Sequence, residues 1–264
     1  MTPDVARIAA GSALGREAMI NAHVRGVAPR LLWHDQAAGW DLLAFEYIAG
    51  ARDADYRPGS PDPRRVVAAM HQLAAIGCPE LPVKQARQRW AAYVDREADL
   101  DLLDGDALRH TDFNPLNVLL GLDRVWIIDW AWPTRGAAFI DAACLLIRAM
   151  AAGHDADQAE ALAYLCPGWQ QAPSVAIDIF ALVSARLHGE IARNDPQPFK
   201  QRLAAVAEAT DPAVVYVETL AGDIYLEERS DVDRYTLAFD RLVAAALHPD
   251  DSVQLIEHMA NSLT

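Results

Sequence analysis

Apolar residues recur at helical spacing from about Ser12 to His23, where Ala13, Leu14, Ala18 and Ile20 follow a capping Ser12. The spacing then changes to that of strands. Ala28-Pro-Arg-Leu-Leu-Trp-His34 reads as a strand entered from a proline turn, Asp35 to Trp40 as its turn, and Asp41 to Gly50 as a second strand running into a connector. Residues 51–63 are rich in Pro, Gly, Asp and Ser and predict a loop. Val66, Val67, Met70, Leu73 and Ala74 return to helical spacing over Pro63–Ile76, with Gly77 placed as a C-cap. A further helix is predicted over Lys84–Arg96, with Trp90 and Tyr93 as core anchors, and His71 reads as a core or surface histidine. Helices follow at 142–152, 157–164, 174–193 and 198–209. Beyond Thr210 the texture alternates again. Val214–Leu220 and Ile224–Glu228 predict a hairpin turning at 221–223, before two helices capped by Asp231 and by Asp250–Ser252.

Between the helices predicted at 84–96 and 142–152 lies the chemistry. His110-Thr-Asp-Phe-Asn-Pro-Leu-Asn117 has the form H-x-D-x-x-x-x-N, and Asp129 follows twelve residues after Asn117. Val118–Leu120 and Val125–Ile128 read as two short buried strands joined at Gly121–Arg124. Such a hairpin brings the loop before its first strand beside the residue that ends its second. Asp112, Asn117 and Asp129 then meet at one rim. Phosphoryl transfer uses such a set: a carboxylate that accepts a hydroxyl proton, with an amide oxygen and a carboxylate on Mg²⁺.

This segment resembles the catalytic and metal-binding loops of the aminoglycoside phosphotransferase family, which shares the protein-kinase fold. The resemblance covers about residues 1–209 and implies ATP and Mg²⁺ as cofactors. It makes Asp112 the catalytic base, with His110 orienting its loop, and Asn117 and Asp129 the Mg²⁺ ligands. The family usually has Gly where Thr111 stands. Glu17 matches the helix glutamate that pairs with a phosphate-holding strand lysine, or is a solvated surface carboxylate. Phe45 falls at the position behind the adenine, with the Glu46 carbonyl and the Ile48 N–H facing the adenine edge, or this is an ordinary edge strand. Asp141 matches an aspartate that ties its helix to the catalytic loop, but it also suits an N-cap, and that structural role is the better reading. No lysine precedes Lys84 and no glycine-rich loop precedes Gly11. Arg7 is the one nearby substitute for the strand lysine and reads better as a surface residue. The chain begins roughly where the family's third strand ends, which is also compatible with a true start further upstream.

At 264 residues and 28.9 kDa, with 52% hydrophobic and 23% charged residues, the chain suits a globular two-lobed domain or two modest ones. A net charge of -14 argues against nucleic acid as the main partner and favours a cationic small molecule as acceptor. Asp157, Glu160, Asp178 and Glu190 are the acidic candidates for meeting it. Arginine supplies all but two of the 23 basic residues, the lysines being Lys84 and Lys200. Cys78, Cys144 and Cys166 are far apart and read as buried thiols of a reducing cytosol, not as a metal site. The N-terminal residues lack the form of a signal peptide, and no apolar run reaches the length of a membrane span, so a cytoplasmic location is expected.

Residues 211–264 hold eleven carboxylates against three arginines, a local charge of -8. Val-Tyr-Val-Glu-Thr-Leu220, Ile-Tyr-Leu-Glu227 and the run from Arg234-Tyr to Ala246-Leu resemble the end of a sensor-like domain found in antitoxin-like helix-turn-helix regulators of actinobacteria. The helix-turn-helix is absent, so no DNA binding is implied. The expected fold is α+β: a protein-kinase-like two-lobe arrangement with a partial N-lobe and hinge at 1–50, a mostly helical C-lobe at 51–209, and an acidic hairpin-plus-two-helix appendage at 210–264. The function expected is transfer of phosphate from ATP to a hydroxyl of an aminoglycoside-like small molecule. The alternative is a catalytically silent kinase-like remnant joined to a regulatory tail and serving as a binding module.

Overall fold

The computed structural model describes residues 13–37 and 40–210, together with the strands 215–219 and 222–226. It divides into two compact units, residues 1–211 and 212–264.

The first unit opens with helix α1 (Ala13–Asn21) and the antiparallel hairpin β1 (Leu31–Ala37) and β2 (Trp40–Phe45). The first strand begins three residues later than its apolar pattern predicts. Asn21 is the reason: its amide donates to the Pro29 carbonyl at 2.8 Å and its oxygen accepts the Leu31 N–H at 2.8 Å, so 28–30 are held against the helix end. The proposed Ser12 cap and Arg7 lie outside the described residues.

After the short strand β3 (Arg52–Asp53), helix α2 (Asp62–Ala74) forms where the spacing predicts, with Val66, Val67, Met70 and Leu73 all buried. Gly77 does not cap it. The helix closes on Ala75 in a right-handed conformation, and Gly77 instead forms a bridge to Ala107. The predicted helix over Lys84–Arg96 forms only in its middle. Lys84 and Gln85 form strand β4, α3 is only Ala86–Trp90, and a 3₁₀ turn follows at Ala91–Tyr93. Tertiary contacts override the local pattern here. β4 pairs in parallel with β8 (Thr134–Gly136), which also pairs with β5 (Ala107–Arg109). Trp90 leaves helical geometry at φ -112° and wedges edge-on against Phe180, centroids 5.1 Å apart.

The central hairpin is as expected, with β6 (Val118–Leu120) antiparallel to β7 (Val125–Ile127), and β3 adding a third strand along β6. Every β6 and β7 residue except the middle ones, Leu119 and Trp126, is buried. The N-terminal segment is fastened to this hairpin directly, through Ile127 N–H to the Val27 carbonyl at 2.7 Å.

Helix α4 (Ile140–Ala151) is the centre of the helical region, burying eight of its twelve residues. It packs against α5 (Ala156–Ala163), the short α6 (Pro167–Gln170), α7 (Ser174–Asn194) and α8 (Pro198–Thr210). Asp155 caps α5 in a reciprocal capping box with Gln158. No helix among the described residues is long and apolar enough to cross a membrane.

In the second unit β9 (Val215–Thr219) pairs antiparallel with β10 (Gly222–Leu226), Thr219 opposite Gly222. Gly222 thus belongs to the strand and not to the predicted turn. The helices expected after Asp231 and Asp250 lie outside the described residues.

Candidate active site

Asp112 sits on the loop between β5 and β6. Its Oδ1 accepts from Arg148 at 2.9 Å and from the Asn114 N–H at 3.2 Å, and its Oδ2 accepts from the Asn117 amide at 3.0 Å. The side chain keeps 42% of its exposure, so lone pairs remain open to an incoming group. Asn117 ends a 3₁₀ turn that Pro115 starts and Asn114 caps through the Leu116 N–H. With its NH₂ committed to Asp112, the Asn117 amide oxygen points away as an acceptor.

His110 is 1% exposed and bonds at both ring nitrogens. Nε2 donates to the Ile128 and Asp129 carbonyls at 2.9 and 3.1 Å, and Nδ1 accepts the Asp112 N–H at 3.3 Å. Those partners assign the proton to Nε2. The ring is wedged edge-on between Phe113 and Trp130. One imidazole therefore fixes the spacing between the loop of Asp112 and the strand end of Asp129.

Two residues here have left-handed backbones, Thr111 at φ 70° and Asp129 at φ 60°. For a β-branched threonine this is a strained conformation. Surrounding bonds hold it. Asp141, in the first turn of α4, accepts the Thr111 and His110 N–H groups at 2.8 and 3.2 Å and lies 3.6 Å from buried Arg109. Phe139, not Asp141, occupies the N-cap position, so Asp141 serves the loop. Asp129 is bracketed by His110 on its carbonyl and by the next N–H, of Trp130, which donates to Glu17 at 3.1 Å.

Glu17 is thus neither on a solvated helix face nor, among the described residues, paired with a lysine. It is 9% exposed, and burial pushes its carboxyl above the usual range, the Trp130 N–H opposing and Asp129 adding to the rise. Glu17, Phe45, Glu46 and Asp129 share the wall of one cavity of about 370 Å³, with Leu119 and Ile127 as its floor. Ile48 is not on that wall. The strand ends at Phe45, the Glu46 N–H donates back to the Arg30 carbonyl at 2.8 Å, and Ile48 lies in a turn closed by Ala51.

Asp112 opens onto a different cavity, of about 460 Å³, between α3, α4 and α7. Phe113, Phe180, Leu187 and Ile191 make it largely apolar, and Arg89, Arg148 and His188 stand in its wall. Burial and the charge of Arg148 push His188 down to about 4. Of the four acidic candidates, none lines this cavity. Asp157 and Glu160 are exposed on α5, and Glu190 accepts the Tyr93 hydroxyl at 2.9 Å. Arg148 is the functional neighbour that the sequence reading passed over. Its signal was an arginine seven residues after Asp141 in an otherwise apolar helix. The three thiols are free and show no sign of reactivity: burial raises all three, Cys166 to about 11.

Asn117 and Asp129 offer hard oxygen donors, and no three His, Cys, Asp or Glu side chains converge as a self-contained metal site among the described residues. A small hard cation held by two protein oxygens, with water and phosphate completing its shell, fits that donor set.

The model of one protein family, the domain of unknown function DUF5753, matches residues 112–258, more than half of the chain. The chain belongs to this family. The DUF5753 match begins at Asp112 itself and runs through the helical region into the second unit. A search of curated proteins finds no match. Among solved structures, a choline/ethanolamine kinase family protein from Mesorhizobium loti aligns with a TM-score of 0.53 at 20% identity, over 74% of this chain and 77% of that one. LicA in complex with AMP aligns with a TM-score of 0.50 at 13% identity, over 74% and 78%. The choline kinase LicA from Streptococcus pneumoniae gives 0.48 at 15%, over 70% and 75%. At these identities the likeness shows the fold: this DUF5753 protein carries a kinase-like fold.

Proposed function

We propose that the protein is an ATP-dependent phosphotransferase acting on a hydroxyl group of a small molecule. The observation that carries the reading is the position of His110, whose single ring ties Asp112 to the backbone of Asp129. Asp112 thereby faces the cavity beside α7 while Asp129 faces the cavity beside Phe45. A nucleotide in the second and an acceptor in the first would meet between the two carboxylates. The kinase-like fold and the AMP bound by one structural neighbour support the same assignment.

In this reading Asp112 takes the acceptor's hydroxyl proton, held in place by Arg148 and Asn117. The Asn117 amide oxygen and the Asp129 carboxylate would hold Mg²⁺, which would supply charge neutralisation at the transferring phosphate. Phe45 and Glu46 border the adenine. Glu17 positions Asp129 through the Trp130 N–H. Positioning and electrostatics supply the catalysis, with no covalent intermediate required. An aminoglycoside is the acceptor that the family resemblance implies. It is a polycation, and the two arginines of the cavity beside Asp112 weigh against it.

Calorimetric titration with Mg²⁺ and a non-hydrolysable ATP analogue tests the reading. Saturable binding that Asp129→Ala abolishes is the expected result. Absence of binding at millimolar nucleotide would sink it and favour a kinase-shaped binding module.

A further inference from the structure

The cavity beside Asp112 carries a charge pattern opposite to that of the whole chain. Among the described residues Asp112 is the one carboxylate in its wall, and Arg148 already pairs with it at 2.9 Å. Arg89 forms no ion pair among the described residues. Its NH1 goes only to neutral oxygens: the Thr111 hydroxyl, the Thr134 hydroxyl at 2.9 Å and the Trp132 carbonyl at 3.5 Å. Burial lowers the hold of this guanidinium on its proton. At the rim, Arg89, Arg16 and Lys84 all crowd the ring of Trp132, at 5.4, 5.4 and 5.0 Å from its centroid.

Trp90 is 2% exposed and its ring lines the same cavity. The Arg89 guanidinium lies 5.2 Å from its ring. Arg89 is half-buried, has no carboxylate within ion-pair distance among the described residues and keeps donors to spare, which suits an anion rich in acceptor oxygens.

We propose that the acceptor is a hydroxyl-bearing carboxylate: its carboxylate on Arg89, its hydroxyl at Asp112, and an apolar body against Phe113, Phe180 and Leu187. This rests on the phosphotransferase reading for the role of Asp112, though not for the anion site itself. It reverses the charge expected from the net -14 of the chain, because local placement outweighs the total.

The test uses the full chain and three matched probes: 4-(hydroxymethyl)benzoate, 1,4-benzenedimethanol and 4-(hydroxymethyl)benzylamine. Calorimetry should show the benzoate binding about tenfold or more tighter than the benzylamine. Arg89→Gln should bring the three within about threefold, while Arg89→Lys keeps part of the preference. Thermal melts of both variants confirm that they fold. Equal or tighter binding of the benzylamine, a preference that survives Arg89→Gln, or no binding of any probe at millimolar concentration overturns the proposal. The ATP-analogue titration runs in parallel on the same proteins. A benzoate preference without nucleotide binding sinks the phosphotransferase reading and leaves the anion site standing. Nucleotide binding without the preference does the reverse. If Arg89→Gln weakens nucleotide as much as benzoate, Arg89 serves phosphate and the proposal falls.

Discussion

Replacing Asp141 by alanine should loosen the loop that carries Asp112 and destabilise the first unit measurably. The carboxylate is 1% exposed and serves three groups at once: two backbone N–H donors, at 2.8 and 3.2 Å, and Arg109 at 3.6 Å. Arg109 is itself 5% exposed, so its charge would be stranded. Deleting one partner of a buried pair costs about 3–5 kcal/mol, and the lost hydrogen bonds fall within that figure because all three groups share one carboxylate. For a unit of about 200 residues each kcal/mol moves Tm by about 2–4 °C, so a fall of about 6–20 °C is expected. All seven tryptophans lie between Trp33 and Trp169. Tryptophan fluorescence therefore follows the first unit and is blind to residues 212–264. The double variant Arg109→Met/Asp141→Ala should recover part of the loss, since no charge is then stranded. A fall of less than about 4 °C, or a double variant no more stable than the single one, would refute this account.

Thr111 allows a cleaner comparison: Gly and Ala both remove its hydroxyl, but only Gly relaxes the φ of 70°. Thr111→Gly should exceed Thr111→Ala in stability by about 1–2 kcal/mol in urea denaturation, and equal stabilities would mean the backbone is unstrained. Glu17→Gln keeps an acceptor for the Trp130 N–H and removes a buried charge. The folded carboxyl is raised above its unfolded 4.5, so its contribution favours folding below that pH and is lost as pH rises through the folded value. The variant should melt higher than the parent at pH 7–8, with the gain fading toward pH 4; a lower melt at pH 8 would show that the charge is needed. His188 works in the opposite sense. Its folded value of about 4 lies below the unfolded 6.5, so the unfolded chain binds the extra proton and stability is lost as pH falls through that window. Denaturation of His188→Asn across pH 4–6.5 should lack about 3 kcal/mol of this dependence, and an unchanged profile would place the titration elsewhere.

The central hairpin was legible because β6 and β7 are short, apolar and separated by a four-residue turn, and their register then fixes where Asp112, Asn117 and Asp129 emerge. The long helices were legible for the same kind of reason, an unbroken spacing such as that from Val66 to Leu73. Lys84–Arg96 misled because its pattern is helical, while its structure is set by partners distant in sequence: Thr134 and Arg135 for the strand, Phe180 for Trp90. Glu17 was found as a residue but not as a neighbour. Nothing local says that its carboxylate meets the N–H of Trp130. The basic side of the cavity beside Asp112 was invisible for a statistical reason. Arg89 and Arg148 are two among 21 arginines, and only folding distinguishes them from those at the surface.

Arg89 does two things. It offers its charge to the cavity, and the same guanidinium holds the hydroxyl of Thr111, whose backbone is already strained, and that of Thr134. On the proposed reading, a lineage that exchanged Arg89 to suit a new acceptor would at the same step unfasten the residue next to Asp112, so preference and turnover would evolve together. Descendants that had switched acceptor would be expected to carry a compensating change at Thr111 or Thr134, with glycine at Thr111 the simplest.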